Sequence, residues 1–354
     1  MNSKCSTERD DNVRKLFAAL LFMSLLCGCA AQSKPTKEEQ ITAGESAVIG
    51  VWISCYELDR MLDGGNFAAD FAAAAEKIAN FGATDAFVHM RAFSDSLFDS
   101  AYYPQKENAK RYGFDLPKYM IETLAKEGVR FHAWINPFRS ENGGFLDPMD
   151  ENVRKRILCG VREIAERYDI SGVHFDDYFY PGAGDKTDAE SFAAYESAAA
   201  QALSIDEYRR STVTAFMFAA KSAAKCRDKN VVFSVSPAAG IEKNENSSFA
   251  DVRKWCAEGA ADWIIPQLYF GFEYPDPEYR FDRLLDKWKA VWRQDGVKLI
   301  VGLAAYKVKT ATPPDADEWK DNGADVLRRQ MSVCLGDGDV AGIALFSYSY
   351  LPDR

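Results

Sequence analysis

The sequence predicts an α/β fold, a (β/α)8 TIM barrel that forms a single domain over residues 48–354. Two observations predict it: eight short apolar runs alternate with amphipathic segments, and polar or aromatic residues cluster toward the end of each run. Repeated alternation of strand and helix is typical of a parallel sheet, and eight units with none left over favour a closed barrel. The alternative is an open doubly wound sheet, but no GxGxxG or GxxxxGKS/T motif follows the first strand.

The predicted strands follow one another at regular intervals along the chain. In order they are VIGVWIS, TDAFVHM, VRFHAWI, SGVHFD, VVFSVS, ADWIIPQLY, VKLIVGLAAY and VAGIALFSY. Helical periodicity marks the segments between them, as in FAADFAAAAEKIANF, ENVRKRILCGVREIAERY and YRFDRLLDKWKAVWRQ. Residues 182–229 exceed a single helix, so we interpret them as an active-site loop, PGAGDKTDAESFAAY, followed by a helix from about Asp206.

The N-terminus has the pattern of an export signal. Residues 16–28 form an apolar run behind Arg14 and Lys15 that is shorter than a membrane span. The run ends in LCGC, which resembles the bacterial lipobox, whose cysteine is acylated and becomes the mature N-terminus. We therefore predict a lipoprotein signal peptide over residues 1–28 and lipidation of Cys29. An ordinary cleaved signal or an N-terminal anchor is the alternative.

Residues 29–47 are polar and lack periodicity, which predicts a flexible tether between the lipid and the barrel. The protein is accordingly expected outside the cytoplasm, in the cell envelope, attached to a membrane through its lipid alone. Its oligomeric state is left open.

Composition narrows the range of partners. The formal net charge is -10, the isoelectric point lies near 5.0, and there is no block rich in lysine or arginine. Nucleic acid is therefore not an expected partner. The aromatic fraction of 13% suits a surface that stacks on sugar rings. The five cysteines of the predicted barrel form no CxxC pair, which favours small buried side chains over disulfides or a zinc site.

Strand alternation predicts which side chains face the barrel axis. One parity of each strand must be apolar because it faces the helices, and the other parity faces inward. In the fourth strand Val173 and Phe175 face the helices, so His174 and Asp176 face the axis. Over the other strands the same rule selects Ser54, Tyr56, His89, Arg91, His132, Trp134, Asn136, Ser234, Ser236, Gln267, Tyr269, Tyr306, Phe346 and Tyr348. This inward set is polar or aromatic, which predicts a site at the C-terminal ends of the strands.

The stretch GVHFDDYFYP places two adjacent aspartates at the end of the fourth strand. Inward Arg91, Asn136 and Gln267 are expected to hydrogen-bond Asp176, hold it ionised and give it a low pKa, as suits a nucleophile or a base. Asp177 has the other parity and is expected at the lip of the barrel, where we interpret it as ordering the loop or supporting the site in preference to acting in catalysis.

Two carboxylates that flank an aromatic-lined cleft are the arrangement required for glycoside hydrolysis. Asp176 supplies one of them. Glu273 is the first candidate for the proton donor, because neighbouring Tyr269 and Phe272 should favour its neutral form. The further candidates, in order, are Glu242, Glu57 and Asp95, and Asp177 completes the set of possible catalytic acids. A solvated loop acid is the alternative interpretation of each candidate taken alone.

Metal and serine chemistry are weaker hypotheses. The three histidines, His89, His132 and His174, face inward on neighbouring strands, but the sequence contains no HxH or HxxxH pair. They are therefore interpreted as core residues or as supports for the site, and no metal or cofactor is predicted. No GxSxG motif marks a serine nucleophile.

The strand motifs resemble those of the glycosyl hydrolase-like 10 domain family, bacterial secreted or lipid-anchored barrels distinct from the family 10 xylanases. The resemblance rests on VHMRAFSDSLFDSAYYP, HAWINPFR, GVHFDDYFYP, SVSPAAGIEKN and IIPQLYFGFE, and it extends over nearly everything from residue 48 onward. It implies a (β/α)8 barrel that hydrolyses a bacterial glycan, with peptidoglycan strands as the substrate class it suggests most. YRRST stands in place of a WRR-x-N form, and the second-strand motif also departs from the family pattern.

The residues expected to bind substrate are Tyr56, Glu57, Arg91, Asp95, Trp134, Asn136, Arg139, His174, Tyr178, Tyr180, Glu242, Gln267, Tyr269, Tyr306 and Tyr348. Arg209 and Arg210 would ordinarily lie on a solvated helix face. The resemblance implies that at least one of them reaches back to the loop carrying Asp177 and holds it by a bidentate pair. The competing hypothesis for the whole protein is a glycan-binding lipoprotein that lacks a catalytic pair of carboxylates.

Overall fold

A computed structural model describes residues 47–182, 184, 186–310, 314 and 316–352 of the chain. Eight parallel strands close into a barrel in sequence order, with the first strand paired to the last. The predicted TIM barrel is therefore confirmed. The strands are β1 (Val48–Ile53), β2 (Asp85–Arg91), β3 (Arg130–Ile135), β4 (Gly172–Phe175), β5 (Val232–Val235), β6 (Trp263–Ile264), β7 (Lys298–Leu303) and β8 (Gly342–Leu345).

The helices surround the barrel and fill its longer connections. They are α1 (Cys55–Gly64), α2 (Phe67–Phe81), α3 (Leu116–Lys126), α4 (Glu151–Arg167), α5 (Ala189–Ala198), α6 (Ile205–Ala224), α7 (Ile241–Ser247), α8 (Val252–Glu258), α9 (Phe281–Ala290), α10 (Lys307–Thr310) and α11 (Ala316–Leu335). Short 3-10 turns span Glu141–Gly143, Pro277–Tyr279 and Tyr348–Tyr350. In the described part of the chain no helix is long and apolar enough to cross a membrane.

Two apolar cores on opposite sides of the sheet explain the strand pattern. Val173 and Phe175 belong to the large core between the strands and the helices. Trp52, Phe87 and Trp134 belong to a second core inside the barrel. Since alternate residues of one strand enter different cores, the parity inferred for the strands is confirmed at these positions.

Arg91 is an exception to that parity. The register between β2 and β3 shifts between His89 and Arg91, as it does at a β-bulge, so the side chain leaves the simple alternation. The Arg91 guanidinium donates to the carbonyl oxygens of Phe93 and Pro137, at 2.9 and 2.6 Å, and lies over the ring of Tyr103. Arg91 thus braces the loops after β2 and β3 and does not line the central cavity described below.

The long connection after β4 also differs from the prediction. The segment interpreted as a loop contains the helix α5, in which no residue is fully buried. The next helix begins at Ile205, close to the expected position, because Ser204 and Glu207 form a capping box at its start. The sequence of α5 carries no strong apolar stripe, so its periodicity did not reveal a helix.

Candidate active site

The candidate site is a cavity of about 180 Å³ at the C-terminal ends of the strands. This is the face of a TIM barrel at which enzymes carry their catalytic residues. The side chains that line it are Trp52, Ser54, Cys55, Tyr56, His89, Trp134, Asn136, Arg139, Asp176, Asp177, Tyr178, Ser236, Gln267, Tyr269 and Phe346. Most of them belong to the inward set predicted from strand parity, so the structure brings that set together.

Asp176 follows β4 directly and lies in the wall of the cavity, with 8% of its surface exposed. Its Oδ1 accepts hydrogen bonds from Gln267 Nε2 at 3.0 Å and from the backbone N–H of Asp177 at 2.8 Å. Burial raises the pKa of Asp176 well above its usual range, and the adjacent Asp177 carboxylate raises it further. The expectation of a low pKa was wrong, because Arg91 is turned away and burial exceeds the effect of the remaining donors.

Asp177 lies at the same cavity, half-buried, and its carboxyl group is hydrogen-bonded to that of Asp176. Burial raises the pKa of Asp177, although hydrogen bonds from Asp176 and Gln267 oppose the rise. Two carboxyl groups in direct contact cannot both ionise readily, so the pair shares a proton. Asp177 is therefore part of an acid pair, beyond the loop-ordering role expected for it.

His89, Trp134 and Asn136 form the side of the cavity near β2 and β3. The His89 ring stacks on the Trp134 indole with 3.4 Å between ring centroids. Its two nitrogens contact the backbone N–H of Cys55 at 2.9 Å and Asn136 Oδ1 at 3.1 Å. Burial lowers the pKa of His89 to about 3. His89 is therefore neutral at physiological pH and orients its neighbours without carrying charge.

His174 lies beneath the acid pair and is completely buried. Its ring contacts the hydroxyls of Ser234 and Ser236 at 2.9 and 3.1 Å, and the Trp52 indole N–H at 3.1 Å. Burial lowers the pKa of His174 well below its usual value. His174 supports the wall residues and does not itself line the cavity, where substrate binding had been expected of it.

Aromatic side chains and one cation surround the entrance. Tyr56, at the start of α1, is 60% exposed. The guanidinium of Arg139 lies 4.2 Å from the ring centroid of Tyr178, and both side chains line the cavity. Tyr269 faces them and packs against Phe346, with 6.1 Å between ring centroids. Exposed aromatic faces beside polar groups are suited to binding a sugar ring.

The other acids proposed for catalysis lie outside the cavity lining. Glu57 is buried and accepts hydrogen bonds from Ser54 and Ser347, so it serves a structural purpose. Glu242 is exposed and pairs with Arg253 at 2.9 Å. Asp95, whose pKa is raised by burial, lies 3.8 Å from Lys106.

Glu273, the first candidate for the donor, is exposed and does not line the cavity. Its backbone N–H and that of Phe272 donate to the carboxylate of Glu318 in α11, which fixes the course of this loop. The geometry that would make Glu273 a proton donor opposite Asp176 is not present.

Three tyrosines that were predicted to bind substrate do not line the cavity. Tyr180 is buried and its hydroxyl contacts Asp188 at 3.1 Å. Tyr306 packs against Tyr269 and Phe346 behind the lining, and Tyr348 is half-buried beside the buried Glu57. Trp52 and Cys55 were not proposed for the site but line it. Trp52 has the inward parity of β1, so the alternation rule extended two residues back would have found it.

Arg209 holds the loop that follows the acid pair. Its Nε and Nη2 donate to the two carboxylate oxygens of Asp188 at 2.6 and 2.8 Å, and both residues are buried. Asp188 immediately precedes α5, at the end of the loop that begins at Asp177. Arg210 is half-buried. The bidentate pair expected at this position is thus made by Arg209, with Asp188 as its partner.

Within the described residues, no group of three histidine, cysteine, aspartate or glutamate side chains is arranged to hold a metal ion. The three inward histidines are each hydrogen-bonded within the protein: His132 contacts Asp85 at 2.7 Å, near the opposite end of the barrel. The polar groups that line the cavity are its carboxyl pair, its amides, its hydroxyls, the His89 ring, the Cys55 thiol and Arg139.

Comparison with known proteins agrees with this description. The model of the glycosyl hydrolase-like 10 family matches residues 138–321. The glycosyl hydrolase YngK of Bacillus subtilis is 28% identical over 74% of this chain and 60% of its own length. The glycosyl hydrolase DigH of Escherichia coli is 28% identical over 68% of this chain and 65% of its own. The chain thus spans less than two thirds of the length of these relatives.

Solved structures show the same fold at low sequence identity. The glycoside hydrolase domain of PgaB from Bordetella bronchiseptica has a TM-score of 0.61 and 13% identity, covering 86% of this chain and 95% of that domain. A family GH18 chitinase from Cycas revoluta has a TM-score of 0.52 and 13% identity, covering 86% and 96%. These similarities establish the barrel architecture.

Proposed function

Because the chain belongs to the glycosyl hydrolase-like 10 family, we propose that it is a glycoside hydrolase that cleaves a bacterial glycan at Asp176 and Asp177. One observation carries the proposal: two carboxyl groups whose pKa values are both raised by burial lie side by side in an aromatic-lined cavity at the C-terminal face of the barrel. A carboxyl group whose pKa is raised by burial is suited to protonating the leaving oxygen of a glycosidic bond.

The acid pair favours an enzyme over a protein that only binds glycans. Burying two carboxyl groups in contact costs stability, because each desolvates the other and they repel when ionised. Sugar binding alone needs hydroxyls, amides and aromatic rings, all of which the cavity also contains. A role in proton transfer would explain why the protein keeps a carboxyl pair that lowers its stability.

Peptidoglycan strands are the substrate class we propose. The support is the family resemblance together with the lipobox-like segment at Cys29, which would hold the barrel in the cell envelope beside that polymer. Cys29 and the signal peptide lie outside the described residues. A carbohydrate substrate is the broader conclusion, and it follows from the family and from the cavity.

The test is incubation of the purified protein with peptidoglycan glycan strands and with a panel of other polysaccharides, followed by mass spectrometry of the products. We expect shortened strands from peptidoglycan. Asp176→Asn and Asp177→Asn should each lower turnover by about 10²- to 10⁴-fold, the usual range for disabling an acid–base pair. Circular dichroism should show that each variant is folded. No product from any polysaccharide would contradict the enzyme proposal and favour the binding protein.

A further inference from the structure

The two carboxyl groups of the cavity are too close for the usual two-carboxylate mechanisms. Retaining glycosidases separate the acid from the nucleophile by about 5–5.5 Å, and inverting enzymes separate acid and base by about 6.5–9.5 Å. Asp176 and Asp177 are adjacent in sequence and hydrogen-bonded to each other through their side chains. A hydrogen-bonded pair of carboxyl groups is closer than either mechanism requires.

Within the described residues, no third carboxylate lies in the cavity to act as the nucleophile or base opposite this pair. Of the acidic side chains of those residues, Asp176 and Asp177 alone line the cavity. None of the other candidate acids lines the cavity. Glu57 accepts hydrogen bonds from serine hydroxyls, Glu242 is paired with Arg253, and Glu273 is exposed. Among the described residues, the cavity thus supplies a proton donor and a second carboxylate beside it, but no separate carboxylate that could act as the nucleophile.

We propose that the substrate supplies the nucleophile, so the sugar bound in the cavity carries a 2-acetamido group whose carbonyl oxygen attacks its own anomeric carbon. This inference rests on the proposed function and narrows its substrate class to glycans of 2-acetamido-2-deoxy sugars with a 1,2-trans linkage. Substrate-assisted hydrolysis needs one acid for the leaving oxygen and one carboxylate at the acetamido nitrogen, which is what an adjacent pair can provide.

The proposed reaction needs only the glycan, one water molecule and the two carboxyl groups. In the first step, the acetamido oxygen forms a bond to C1, the C1–O bond to the leaving sugar breaks, and one carboxyl gives its proton to the departing oxygen. The other carboxylate accepts a hydrogen bond from the acetamido N–H and stabilises the positive charge of the resulting oxazolinium ring. In the second, water attacks C1, returns a proton to the first carboxylate and opens the ring. C1 is inverted twice, so its configuration is retained.

Burial assigns the two roles. Asp177 is the more exposed member and lies at the lip, where the leaving sugar departs. It is the proton donor once the shared proton has moved to it, which happens when Asp176 accepts the acetamido N–H as a carboxylate. Asp176 is deeper and is oriented by Gln267 and Ser236, so it holds the acetamido nitrogen. The indoles of Trp52 and Trp134 line the same cavity and provide apolar surface for the acetamido methyl group.

The decisive experiment compares one glycan in two forms, fully N-acetylated and chemically de-N-acetylated with the amines left free. The full protein should cleave the acetylated form, and kcat/KM for the deacetylated form should be lower by more than about a thousandfold, since the intramolecular nucleophile is gone. Nuclear magnetic resonance of the first product should show a retained anomeric configuration. A thiazoline analogue of N-acetylglucosamine, which mimics the ring intermediate, should bind in calorimetry.

Variants separate the two aspartates. With an aryl glycoside whose leaving group needs no protonation, Asp177→Asn should regain much of its activity, because only the acid is missing. Asp176→Asn should remain slow on the same substrate, because its loss affects the attack on C1 with any leaving group. The equally conservative change Asp99→Asn, at an exposed loop position, is the matched control for expression and handling.

Equal cleavage of both glycan forms, or an inverted first product, would overturn the inference while leaving the glycoside hydrolase proposal intact. Failure to cleave any glycan, with no binding of the thiazoline, would overturn the proposed function and this inference together. Binding of the thiazoline without turnover would support a site for 2-acetamido sugars but contradict catalysis.

Discussion

Asp176 shows that the identity and parity of a residue do not decide its protonation state. An aspartate in water ionises near pH 3.9. In the cavity, burial and the neighbouring Asp177 raise the pKa of Asp176 well above that value, although Gln267 donates a hydrogen bond to it. The same side chain, expected to be a permanently ionised nucleophile, therefore becomes a member of a proton-sharing pair.

This raised pKa predicts how stability changes with pH. Above pH 4 the native state binds more protons than the unfolded chain, so the free energy of unfolding of the wild type should fall as pH rises through the native pKa. Asp176→Asn removes this loss. Its stability relative to the wild type should increase as pH rises from 4 toward the native pKa of Asp176 and level off above that pKa.

Urea denaturation at a series of pH values measures this difference. The exposed control Asp99→Asn should show no comparable trend with pH. A constant difference between Asp176→Asn and the wild type across the range would show that burial does not raise the pKa of Asp176.

The elements around β4 show how distant segments hold the acid pair in place. The loop that starts at Asp177 ends at Asp188, and its buried ion pair with Arg209 connects this loop to α6. The Arg209 guanidinium also lies 4.8 Å from the ring centroid of Phe249. The bulge in β2 plays a similar part, because it turns Arg91 toward the carbonyl oxygens of neighbouring loops.

Breaking the ion pair should therefore be costly. Arg209→Gln leaves Asp188 buried without its bidentate partner, and we expect the free energy of unfolding to fall by about 3 kcal/mol. The neighbouring Arg210→Gln, at a half-buried position, should change it by no more than about 0.5 kcal/mol. Chemical denaturation of both variants tests this, and equal effects would show that the Arg209 pair does not stabilise the loop.

The whole molecule depends on closure of the barrel between its first and last strands. Glu57 in α1 accepts hydrogen bonds from Ser54 at the end of β1 and from Ser347 and Ser349 after β8. A single buried carboxylate thereby joins the two ends of the sheet. Ser54 and Glu57 form a capping box at the start of α1, and Ser204 and Glu207 form an almost identical capping box at the start of α6.

The two capping boxes allow a matched test of whether Glu57 stabilises the closure of the barrel between β1 and β8. Glu57→Ala should lower the free energy of unfolding by about 3 kcal/mol, since buried donors from both strand ends lose their acceptor. Glu207→Ala removes the same local cap at an exposed helix start and should have a much smaller effect. Thermal and urea unfolding of the two variants provide the measurement. Similar losses would mean that the cap, and not the link to β8, accounts for the role of Glu57.

The location of the whole protein is a separate prediction, which rests on the N-terminal sequence. Cys29→Ala should remove the acylated residue and release the protein from the membrane, or leave its signal peptide unprocessed. Cell fractionation and mass spectrometry of the mature N-terminus test this. Identical fractionation of variant and wild type, with no diacylglyceryl mass on the wild type, would show that the protein is not a lipoprotein.

By itself the sequence determined the barrel, the face occupied by most strand residues and the position of Asp176 and Asp177 at the C-terminal end of β4. These features are local, because strand periodicity and helix caps depend on residues a few positions apart. The helix α5 was missed for the same reason, since it has no strong apolar stripe.

Only the tertiary structure decided which polar residues meet. Glu273 and Glu242 lie in the connections that follow β6 and β5. Glu273 is exposed on a segment whose backbone donates to Glu318, and Glu242 pairs with Arg253, so neither lines the cavity. Arg91 shares the inward parity, yet a bulge redirects it. Loop paths and protonation states depend on partners distant in sequence, on burial and on neighbouring charge, which strand periodicity does not encode.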